Sequence, residues 1–314
     1  MRRFLIVVFI ILIPFSAFAL NTKMVLLNTL IPDQTDSYTY FIDANIDFSV
    51  GGMLQSNVKS ELSVNYSSFK QKVSLDKAYI KARFGKSQIT IGKTLLDYSP
   101  FFILDSSKAL FYSEENLFLP LPNRWLTTYY LSLGNFSFLE ATVASEISQN
   151  PTFATRYKTE IKSLSIEAAL AYRPIEDDKM SLASYVGIQG AMALNWAVSS
   201  LINISPFDRN SLLISGAVFK PFSVAYSDNL TVKFESLVKP FNIKEFYLNC
   251  ELSYSIGNLA TLSLIAQIET FKESRIITNA TFNIYQDFFI IGNVIIPLKE
   301  KFLPTVAAGF SYSF

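Results

Sequence analysis

The ten residues Ser163–Tyr172, SLSIEAALAY, alternate between two kinds of side chain. Successive side chains of an extended strand point to opposite faces, so Leu164, Ile166, Ala168, Leu170 and Tyr172 share one face, while Ser165, Glu167, Ala169, Ala171 and Arg173 share the other. A helix would scatter the same residues around its circumference. The parity persists where charges are dense. In TRYKTEIK (155–162), Arg156, Lys158, Glu160 and Lys162 alternate with Tyr157, Thr159 and Ile161. In TVKFESLVK (231–239), Lys233, Glu235 and Lys239 alternate with Val232, Phe234 and Val238. Stretches of about ten residues built this way follow one another along the chain, the pattern of a membrane protein that crosses as a closed antiparallel β-barrel.

Residues 1–19 read differently. Arg2 and Arg3 precede an apolar run from Phe4 to Phe15, followed by the small-x-small sequence Ala17-Phe18-Ala19. This order predicts a secretory signal peptide cleaved after Ala19, leaving 20–314 as the barrel. Pro14 and the short apolar core disfavour an uncleaved anchor, because a spanning helix needs about 20 apolar residues. Half of all residues are apolar, yet beyond this segment no run approaches that length. Strands are then the remaining way to satisfy every backbone group inside a bilayer.

Composition excludes several functions. Lys plus Arg number 27 against 26 Asp plus Glu, a net charge of +1 that gives no footprint for nucleic acid. Cys250 is the sole cysteine, so an internal disulfide is excluded, and it reads as a small apolar side chain. The chain has no histidine, the usual base of hydrolytic sites. Metal-ligand spacing, phosphate-binding glycine loops and nucleophile elbows are absent from the sequence, so no catalytic residue, cofactor or metal is assigned.

The connections alternate in length. Tight joins are expected at Gly85-Lys86, Gly134-Asn135, Lys162-Ser163, Gly190, Gly257-Asn258 and Gln286-Asp287, and longer ones near 69–74, 94–123, 147–152, 173–180, 201–210, 239–244, 269–275 and 297–303. Short periplasmic turns opposite longer outer loops are the habit of such barrels. The prolines fall in these connections or at strand ends, as they must if none interrupts a ladder. Counting back from Phe314 and placing TKMVLLNTLI (22–31) first gives about eighteen strands, or sixteen if 181–200 is misread.

The last stretch, AAGFSYSF (307–314), puts Phe310, Tyr312 and Phe314 on one face. It resembles the terminal assembly signal of bacterial outer-membrane β-barrels, which implies recognition by the barrel assembly machinery and residence among outer-membrane lipids. A second stretch, LDKAYIKARFGKSQITIGKTL (75–95), resembles the strand-turn-strand of porin-like families through Ala78-Tyr79, Phe84-Gly85 and Ile91-Gly92-Lys93, with Lys93 where those families carry Arg. The resemblance implies a pore.

Physics points the same way, because the bore of so wide a barrel exceeds what inward side chains fill. A passive channel for small solutes and ions is the expectation. Inward positions carry as many acids as bases, among them Arg156, Lys158, Glu160 and Glu167, so weak charge selectivity follows. Lys77, Tyr79, Lys81 and Arg83 lie on one face of one strand, either as wall residues paired with neighbouring carboxylates or as an anion track. The connection 94–123 is too long and too aromatic to be an ordinary loop. It either folds into the bore, setting Asp105, Glu114 and Glu115 against Lys81, Arg83 and Arg124, or caps the rim or a neighbouring protomer, with a homotrimer and a single barrel both open. The rival readings are a non-conducting barrel for structural or surface contacts and a secreted β-sandwich. The barrel readings require that the mature protein leave the envelope only with detergent and show a β-dominated far-ultraviolet circular dichroism spectrum; a detergent-free soluble product would overturn both.

Overall fold

The computed structural model describes residues 19–32, 37–96, 103–112, 122–134, 136–145, 150–174, 180–191, 193–225, 227–242, 246–269, 274–298 and 303–313. Within them lie eighteen strands and one 3-10 helix. The strands are β1 (Ala19–Pro32), β2 (Tyr38–Gln55), β3 (Val58–Ser67), β4 (Lys72–Phe84), β5 (Ser87–Thr94), β6 (Arg124–Ser132), β7 (Ser137–Ser145), β8 (Thr152–Ile161) and β9 (Leu164–Pro174). They continue as β10 (Met180–Ala191), β11 (Asn195–Ser205), β12 (Phe207–Ser223), β13 (Asp228–Val238), β14 (Phe246–Ile256), β15 (Ala260–Glu269), β16 (Arg275–Tyr285), β17 (Phe288–Pro297) and β18 (Thr305–Ser313).

Each strand pairs antiparallel with its neighbours in sequence, and β18 returns to pair with β1 from Lys23↔Ser313 to Leu30↔Val306. The sheet therefore closes and has no free edge, which is the condition for strands to live in hydrocarbon. Side-chain parity sorts as the sequence predicts. In β9 Leu164, Leu170 and Tyr172 are exposed on the outer face, while Ser165, Glu167, Ala169 and Ala171 are buried on the inner face. Cys250 registers opposite Phe234, whose ring is exposed on the outer, apolar face.

Turn chemistry follows the tight joins. Gly85, Lys162, Gly257 and Gln286 adopt positive φ at the hairpin tips. The structure moves three expected features. Gly190 lies inside β10 and marks no turn; a Cβ there would sit 2.7 Å from the Trp196 ring, so the glycine makes room for a cross-strand indole. The loop expected at 201–210 is almost all strand, with Pro206 alone between β11 and β12. Its polar residues belong to a hairpin that continues beyond the alternating belt, where Asn203 still pairs with Asp208. Pro221 lies within β12, yet the β11 ladder ends at Phe219, so Pro221 has a partner strand on one side only.

The seam between β1 and β18 has one close approach. A Cβ on Gly309 would lie 1.8 Å from the Leu26 carbonyl oxygen and 3.0 Å from Leu27 Cα. Backbone occupies that space, so Gly309→Val is expected to block closure, with loss of the compact, heat-modifiable band of the folded barrel on unboiled SDS gels.

Candidate functional site: the loop inside the bore

The described part of the connection between β5 and β6, Ile103–Tyr112, is almost wholly buried. Asp105 caps the 3-10 helix Ser106–Leu110, its carboxylate accepting the Ser107 N–H at 2.7 Å. The helix touches β10, β11 and β12. On β13 the Glu235 carboxylate accepts the Ile103 N–H with both oxygens and the Leu104 N–H with one, all at 3.1 Å. Ser106 donates its N–H to Ser215 Oγ at 3.2 Å, and its hydroxyl lies 2.8 Å from Ser199 Oγ. Arg173 on β9 donates to the Ala109 carbonyl and, at 3.1 Å, to Asn203 Oδ1. The segment ends at Tyr112, whose hydroxyl donates to the carbonyls of Leu96 and Pro122, at 3.1 and 3.3 Å, beside the ends of β5 and β6.

These attachments place the segment inside the ring. Ten residues that include a 3-10 helix reach about 25 Å. Seven strand spacings around the wall from β13 to β6 measure about 34 Å even before strand tilt. A path across the interior is the one that fits. Depth is also given, because Ser215 is the central residue of β12 and Ser199 lies near the middle of β11.

Apolar contact supports the polar attachments. Leu104, Leu110 and Phe111 join one buried cluster with Leu201, Leu213 and Leu237 from the wall. The inner face there is also lined by Ala144, Ala154, Ala169, Ala171 and Ala183, whose small side chains leave space for the loop. Burying each large apolar side chain contributes about 1.5–3 kcal/mol. Inward leucines on β11 to β13 depart from the polar-inside rule, and that departure was the sequence signal for a docking surface. Ser199, Ser215 and Arg173 had no such signal, since their partners are remote in sequence.

The expected site residues fall into separate groups. Lys77 pairs with Glu61 at 3.1 Å and Tyr79 donates to Glu61 at 2.8 Å, while Lys59 lies 3.9 Å from the same carboxylate. Lys81 registers against Lys59, and both Lys81 and Arg83 are exposed. Asp105 is buried beside Ser199 and Ser107, on the β11 side of the bore. The Arg124 guanidinium lies 4.6 Å from the centre of the Tyr112 ring. Arg156 and Glu167 form a buried pair at 2.7 Å. Lys158 registers opposite Glu167 and Glu160 opposite Ser165. Glu114 and Glu115 lie outside the described residues, as does Phe314. Phe310 and Tyr312 stack near Phe288, with ring centres 5.7 and 6.3 Å apart.

Beyond the loop, amides line the wall. Gln267 donates to Asn249 at 3.3 Å and accepts from Arg275 at 2.8 Å, and Asn293 donates to Asn279, which donates to Ser263 at 3.3 Å. Such ladders keep the inner face polar and hydrogen-bonded, with Arg275 as the one charged member among those named.

The fold recurs among bacterial porins. A mutant of the Rhodopseudomonas blastica porin superposes with a TM-score of 0.59 at 8% identity, over 95% of this chain and 100% of that one. OccAB3 of Acinetobacter baumannii superposes with a TM-score of 0.58 at 9% identity, over 95% of this chain and 99% of that one. At such identities the likeness is one of fold. No protein-family model matches the chain, and no curated protein matches it in sequence.

The Arg156–Glu167 pair has a measurable signature. Removing one partner of a buried pair is costly, so Glu167→Gln should lower the unfolding free energy by about 3 kcal/mol, and adding Arg156→Gln should recover part of that loss. Urea titration of the detergent-folded barrel reads both values.

Proposed function

We propose that the chain is an outer-membrane porin, a passive diffusion channel for small hydrophilic solutes and ions, with the connection 94–123 as its constriction. The observation that carries this reading is the loop fastened to mid-wall residues inside a closed, polar-lined ring. Solutes cross down their gradient, filtered by the aperture beside the loop and by the wall charges. Outer-membrane residence accords with the porin-like fold, with the signal peptide read in residues 1–19 and with an assembly signal at Phe310, Tyr312 and Phe314. No residue is given a catalytic role.

Selectivity is proposed to be weak. Several inward charges are neutralised locally, in Lys77–Glu61, Arg156–Glu167 and Lys233–Glu235, the last at 2.6 Å. The cations of β4 then divide, with Lys77 held by a carboxylate and Lys81 and Arg83 open to solvent. A second reading, a barrel closed by its loop and used for envelope contacts, draws on how completely Ile103–Tyr112 is packed.

Planar bilayers separate the two. A porin gives discrete conducting steps and a reversal potential near zero in a salt gradient, and deletion of residues 98–120 raises the step size. A folded barrel without steps would establish the closed reading, and unchanged steps after the deletion would remove the loop from the constriction.

A further inference from the structure

We infer that Glu235 is the positioning residue of the constriction, a wall carboxylate that grips the loop by its backbone and thereby sets the free cross-section of the bore. The inference rests on the channel reading above.

Glu235 is fully buried in the inner wall, although 132 residues separate it from Ile103. A carboxylate offers two equivalent acceptor oxygens, and here they take two successive backbone N–H groups. Gln would present one oxygen and one NH2, and the NH2 would meet a donor. The neighbouring Lys233 ammonium, 2.6 Å away, balances the charge that burial would otherwise disfavour. Position 235 pairs with Ala217 and Asn249 through its backbone, and within the wall its carboxylate also takes a long contact from the Asn249 amide, at 3.5 Å, so the shorter backbone N–H contacts at 3.1 Å are those it makes to the loop.

The other attachments specify less. Leucine contacts are non-directional and allow sliding. The contacts of Ser106 to Ser215 and Ser199 are neutral hydrogen bonds, weaker than those made to an ionised group, and the contact of Ser199 to the Asp105 carboxylate is long, at 3.5 Å. Arg173 holds the far end of the 3-10 helix at a carbonyl. Glu235 is thus the wall carboxylate that holds two successive backbone N–H groups where the chain enters the helix, and no local sequence motif announces it.

The test uses the full mature chain folded in detergent, with Cys250→Ser as background, and reads single-channel conductance and open-channel noise. Glu235→Ala should conduct in larger steps, roughly twofold if the loop withdraws from half of the aperture, with greater noise. Glu235→Gln should lie between it and the parent. Adding Ser106→Cys and Ser199→Cys to Glu235→Ala supplies a lock, since the native hydroxyls are 2.8 Å apart. Oxidation of that lock should return the conductance to the parent value, and reduction should release it, which a merely structural role for Glu235 would not produce. Should Glu235→Ala fail to give the heat-modifiable folded band, Glu235→Gln carries the same comparison. A conducting parent with unchanged steps in both variants overturns the positioning role alone. A folded parent with no discrete steps overturns the channel reading and the positioning role with it.

Discussion

Closure of the sheet between β1 and β18 is the constraint on which everything else depends. A backbone N–H or carbonyl left unpaired in hydrocarbon costs several kcal/mol, so a strand edge facing lipid is not tolerated. The eight residue pairs from Lys23↔Ser313 to Leu30↔Val306 remove that edge. Closing the ring requires backbone against backbone at Gly309, where even a methyl group has no space. The terminal strand therefore has two duties, presenting Phe310 and Tyr312 on its outer apolar face and completing the hydrogen-bonded wall.

A ring of eighteen strands creates the second problem, an interior too wide for its own side chains. The protein fills part of it with backbone. Small alanines on β7 to β10 and inward leucines on β11 to β13 form a dry seat, and the 3-10 helix lies in it. Several polar groups of the loop that enter this seat are paired by the wall, through Glu235, Ser199, Ser215 and Arg173. Loop and wall are thus complementary in both shape and hydrogen bonding.

The same packing changes which charges the inner wall presents. Counted along the chain, inward acids and bases cancel. In the folded barrel Glu167 and Glu235 are buried and paired with Arg156 and Lys233, and Asp105 is buried on the loop, while Lys81 and Arg83 stay exposed. The loop covers its seat on the β7 to β13 wall, leaving the amide ladders of β14 to β17 and the charged residues of β3 and β4 as wall outside that seat. Charge in the bore is therefore decided by where the loop sits as much as by which residues are present.

Two-residue periodicity is a property of neighbours in the chain, so the sequence by itself determined the barrel class, the inward and outward faces and most hairpin tips, and it brought the strand count to about eighteen with sixteen still open, a choice the structure made for eighteen. Its errors have local causes. Gly190 reads as a turn because sequence does not show the Trp196 ring lying across it, and Asn203 and Asp208 read as loop because a hairpin above the apolar belt loses its alternation. Length and aromatic content marked residues 94–123 as unusual but left their destination open. Only the tertiary structure decided that Ile103 meets Glu235 and that Asp105 sits against Ser199, because those contacts join segments about a hundred residues apart and arise from ring closure, which brings the β13 wall within reach of a loop that starts at β5.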